Sequence, residues 1–162
     1  MTTSPNEVRE VRDLAERMLT LARSQDLSTL AVLIGRLVGK YAPQRHLLRP
    51  LLLELVGHTV ESIPAPRGSH PREVFVADLS DDQGAGVEVD EVDPALRAML
   101  RAVLAALNGA AADVVDQVDL VAGDRDPVAK SNAVVHGLLW INQLAHDSAG
   151  RALTVSPDLR GR

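Results

Sequence analysis

The stretch from Asp126 to Gly150 leaves this chain few ways to fold. Asp126-Pro127 is a helix start and Gly150 a helix stop. Between them Val134, Val135, Leu138, Leu139, Trp140, Ile141, Leu144 and Ala145 spread over most of a helical circumference. A helix that is apolar on nearly every side belongs in the middle of its domain. The expectation is that residues 127–149 form a hub for the other segments. The polar sector is a narrow stripe of Asn132, His136, Gln143 and Asp147, with Trp140 at its border. Buried polar side chains need specific partners, so these five residues are the first ligand or interface candidates.

Helical punctuation recurs along the chain. Ser4, Pro5 and Glu7 read as N-cap, first helical residue and capping-box partner of a helix over residues 5–24. Val8, Val11, Leu14, Ala15, Met18, Leu19 and Ala22 give it a 3.6-residue period. Asp26 or Ser28 caps a second helix that runs to about Tyr41, before Ala42-Pro43. A third covers at least Pro50 to Glu61; Pro50 is either its first residue or a kink in a helix begun near Gln44. Asp93-Pro94 opens a fourth that ends at Asn108-Gly109, and Ala111 to Ala122 is a fifth, ending at Gly123. Glycines at these stops can take positive φ.

The middle of the chain has another rhythm. Residues 73–79 and 86–92 alternate, with Phe75, Ala77 and Leu79 on one face, and 80–85 read as a turn. The prediction is a β-hairpin over about 73–92, after a proline-rich connector. The fold class is therefore mainly α, with about six helices in two three-helix halves and one hairpin between them. Residues 1–150 form a single domain, and 151–162 are expected to be a mobile tail. Leu21–Val38 aligns without gaps on Leu104–Val121, a faint sign of duplication.

Composition removes several classes of function. No cysteine is present, which excludes disulfides, thiolate metal sites and cysteine nucleophiles. The motifs of serine hydrolases and zinc-dependent hydrolases are missing, and neither a catalytic residue nor a cofactor is implied. Glu54, His58 and Glu61 share one face of the third helix, but opposite Leu52, Val56 and Ile63, so they read as a solvated stripe rather than a metal site. The acidic turn beginning at Asp78 fails the calcium-loop pattern at Gln83 and Val89. Nucleic acid is not the expected partner: the net charge is -5, and the only aromatic residues are Tyr41, Phe75 and Trp140. Among 17 basic residues only Lys40 and Lys130 are lysine, which with the load of Ala, Val and Leu is the pattern expected of a GC-rich genome. No apolar run approaches the ~20 residues of a membrane span, and Met1–Asp13 lacks the centre of a secretory signal, so the expectation is a cytoplasmic protein without a membrane partner.

Charge is divided unevenly, with net +3 over residues 1–72 and net -8 over 73–162. Two such halves can attract each other within a molecule or across a dimer. The second helix is apolar on more than one face, which marks Leu33, Ile34, Leu37 and Val38 as self-association candidates. The leading expectation is a non-enzymatic interaction or regulatory protein, self-associating as a homodimer or with a protein partner. The alternatives are a small-molecule site or enzyme along the last helix, and a DNA-binding regulator.

Overall fold

The computed structural model describes residues 4–63, 78–80, 85–86, 88, 92–146 and 152–154. Its described elements include six α-helices: α1 (Pro5–Arg23), α2 (Leu27–Val38), α3 (Leu48–Ser62), α4 (Pro94–Leu107), α5 (Ala111–Ala122) and α6 (Pro127–His146). Asp26 caps α2 by accepting from Thr29 N, Asp93 caps α4 by accepting from Ala95 N, and Asp126 accepts from Val128 N at the start of α6. Ser4 makes no side-chain cap; α1 opens on Pro5 alone, without the expected capping box. α2 stops at Val38, short of Tyr41, because Gly39 is extended and the loop folds back so that Gln44 N donates to Arg36 O. A 3-10 turn at Arg45–Leu47 leads into α3, so Pro50 lies in the first turn of that helix, where its missing N–H costs little.

The predicted hairpin is corrected. Asp78–Ser80 (β1) pairs in parallel with Ala152–Thr154 (β2), Leu79 opposite Leu153. Alternation reports an extended segment but not its partner. Apart from 85–86, 88 and 92, the other hairpin residues, Phe75, Ala77, Val87 and Val89 among them, lie outside the described residues, as do 147–150 at the end of the last helix and 151 and 155–162 of the expected tail.

The helices repeat. A shift of 84 residues carries the end of α1, Arg23, onto the end of α4, Leu107; it also carries Leu27 and Val38 of α2 onto Ala111 and Ala122 of α5. The buried residues of α1, Val11, Ala15, Met18 and Leu19, fall on Ala95, Met99, Ala102 and Val103, all buried. The turns coincide in detail. Gln25 has φ +57° and Gly109 φ +73°. Asp26 N donates to Leu21 O as Ala110 N donates to Ala105 O, and Gln25 N to Ala22 O as Gly109 N to Ala106 O. These are two copies of one Schellman turn. For the third pair the shift is 85: Leu48, Leu51, Leu52, Leu55, Val56 and Thr59 of α3 fall on Ala133, His136, Gly137, Trp140, Ile141 and Leu144 of α6, all buried.

Packing follows the same exchange. α1 lies on α3 as α4 lies on α6, and α2 lies on α6 as α5 lies on α3. α3 also meets α4 as α6 meets α1, while α3 and α6 face each other. The contacts are thus those of two three-helix halves in an approximate two-fold exchange, with α3 and α6 between them, although α4 packs on α5 more extensively than α1 on α2. They approach closely where a Cβ on Gly137 would lie 3.2 Å from Leu55 Cδ1. α6 touches all five other α-helices, as a hub must, and α4 is as enclosed, with only Pro94 and Arg101 exposed.

Candidate functional site

The polar stripe of α6 divides between core and water. His136 is 3% exposed and Trp140 fully buried, whereas Asn132 and Gln143 are half-buried. Asp147 lies outside the described residues. The wet side of α6 is instead centred on Val128, Leu139 and His146, because α2 and α3 cover the opposite side. His136 Nδ1 donates to Asn132 O at 2.8 Å, which fixes the tautomer, and its ring meets Trp140 edge-on with centroids 6.2 Å apart. Burial pushes its pKa below the ordinary value, against the opposing pull of the Asn132 carbonyl and the Asp93 charge. A neutral imidazole locked in this way serves the core. It takes the place that Leu51 holds in the other half.

Glu54 and His58 are half-buried, with Glu54 beside Arg12 of α1, while Glu61 is exposed, as expected of a solvated stripe. Glu54 Oε1 is 3.7 Å from Arg12 Nε and 3.4 Å from His58 Nε2, and His58 Nδ1 is 3.8 Å from Glu61 Oε2. Among the described residues no group of three His, Asp or Glu side chains is arranged to hold a metal ion. A shallow depression of about 280 Å³ is lined by Ala106, Gly109, Ala111 and Val114, and belongs to the α4–α5 corner rather than to the α6 stripe. No described helix is long and apolar enough to cross a membrane.

Leu33, Ile34, Leu37 and Val38 are at most 7% exposed, covered by α1 and α6 of the same chain. The exposed face of α2 is the opposite one: Leu27, Ser28, Ala31, Val32, Gly35 and Arg36. Leu27 is 67% and Val32 64% exposed, and a Cβ on Gly35 would meet nothing within 4 Å. Tyr41, just beyond the helix, is 88% exposed, with Lys40 Nζ 5.4 Å from its ring centre. The sequence reading of α2 as apolar on more than one face holds, but it assigned self-association to the buried stripe rather than to the small and apolar residues at i, i+1, i+4 and i+5 opposite it.

The matching face of α5, shifted by 84 residues, is Ala111, Ala112, Val115, Asp116, Asp119 and Leu120, also exposed throughout. Arg49 of α3 holds Asp119 through Nε and Oδ1. No protein-family model matches the chain, and neither a curated protein nor a solved structure does.

Proposed function

We propose that this chain is a non-enzymatic interaction or regulatory protein of a bacterial cytoplasm that works by self-association. The observation that carries the reading is the outer face of α2. Over three turns it offers Leu27, Ser28, Ala31, Val32 and Gly35 to water, with Arg36 its one charge. α1, its neighbour, fills its own outer face with Arg9, Glu10, Arg12, Asp13, Glu16 and Arg17. An exposed helix face so poor in charge favours contact with another protein surface, and small side chains let a second backbone come close. Tyr41 extends the face with the residue type most often found as an interface anchor.

Light scattering across a concentration series tests this. The expected mass rises above the 17.4 kDa of one chain. Val32→Asp, which leaves the buried stripe untouched, returns it to the monomer value. A 17.4 kDa particle at every concentration of the unaltered protein overturns the reading.

A further inference from the structure

Resting on the self-association proposed above, we propose that the outer face of α2 docks on the outer face of α5 of a second copy of this chain, the two helices antiparallel. The two faces occupy equivalent places in the repeat, on helices of 12 residues each, and both point away from their own chain. Their charges are opposite. α2 ends among exposed Arg36, Lys40 and Arg45. α5 carries exposed Asp113, Asp116 and Asp119 and has no basic residue.

Other pairings of these faces are poorer. α5 against α5 sets acid against acid. α2 against α2 leaves its basic end unmatched, because α2 has no acid of its own and the Asp26 carboxylate already accepts from Thr29 N, Thr29 Oγ1 and Ser28 Oγ. Asp119 is engaged by Arg49, so Asp113 and Asp116, in the first half of α5, are the acids left to meet a partner. An antiparallel approach brings the Arg36 and Lys40 end of α2 against them and opposes the two helix dipoles. Ser28, Ala31 and Gly35 then leave room for Val115 and Leu120. A 12-residue helix is about 18 Å long, so the contact is small and dissociation in about the micromolar range or weaker is expected.

Charge exchange tests the pairing by sedimentation velocity at low salt. Arg36→Glu and Asp116→Arg, each alone, weaken self-association by about tenfold or more. An equimolar mixture of the two variants, and the double variant, regain it. Circular dichroism melts equal to those of the unaltered protein verify that both variants fold. If either does not, Lys40→Glu and Asp113→Arg replace them. Loss without rescue overturns the α2–α5 pairing while leaving self-association in place. A chain that stays monomeric before any substitution overturns both.

Discussion

α2 and α5 hold the same station in the two halves of the molecule, yet almost nothing in their residues is the same. Both follow a Schellman turn, both span 12 residues, and both expose the same six helical positions. Inward, α2 sets Leu30, Leu33, Ile34, Leu37 and Val38 against its neighbours. α5 sets Val114, Gln117, Val118, Val121 and Ala122 in the corresponding places, of which Val118 and Val121 are fully covered. Outward, one face is apolar with a basic end and the other is acidic. The frame is therefore carried by turn geometry and by the period of burial, which many side chains satisfy. The surface is left to diverge.

The third pair, α3 and α6, allows the sharpest test of that equivalence. Leu55 and Trp140 fill matching positions and neither is exposed. Trp140→Ala is expected to cost about 3–5 kcal/mol and Leu55→Ala about 2–5 kcal/mol in denaturant unfolding. A loss below about 1 kcal/mol at either site would break the correspondence, since a truly enclosed side chain of that size cannot be removed so cheaply.

The turns predict a pair of smaller effects with opposite signs. Gly109→Ala puts a Cβ on a backbone at φ +73° and is expected to lower stability by about 1 kcal/mol. Gln25 already bears that strain at φ +57°, so Gln25→Gly is expected to raise stability by a few tenths to about 1 kcal/mol. Thermal melts of the two variants read the difference directly. Equal signs would show that the turns are not energetically alike.

The last contrast is His136 against Leu51. Folded His136 holds its proton less tightly than the about 6.5 of an unfolded chain. Above that pH both states are neutral there and stability from this site is complete. As pH falls through 6.5 the unfolded chain takes up the proton first, and stability declines. His136→Leu, which copies the other half, is expected to flatten the melting temperature between pH 7 and pH 5 relative to the unaltered protein. Parallel curves would remove the imidazole from the account.

Much of this was written plainly in the residues. Asp93-Pro94, Asn108-Gly109 and Ala111–Ala122 delimit α4 and α5 to within a residue, because caps and stops are local chemistry. The structural repeat left a trace in the sequence one residue out of register: matching Leu21–Val38 to Leu104–Val121 brings aliphatic identities together, whereas the Gln25 and Gly109 turns set the shift at 84. Gly123, expected to turn left-handed, has φ -83°. What escaped was everything that depends on a distant neighbour. No local pattern says that Asp78–Ser80 would find Ala152–Thr154, or that α1 and α6 would cover the Leu33–Val38 stripe and leave Val32 wet. The polar stripe of α6 was legible as a stripe, but which half of it would be submerged was decided by the helices that flank it.

The exchange of α3 and α6 between the halves has a bearing on synthesis. α1 and α2 rest on α6, which leaves the ribosome after every other helix. α1 can settle on α3 within its own half, but α2 emerges without its seat on α6 and must wait, aliphatic side part-exposed, until about a hundred further residues have been made. Closure is late and long-range, which favours slow folding and chaperone dependence in a chain otherwise composed of quick-forming helices.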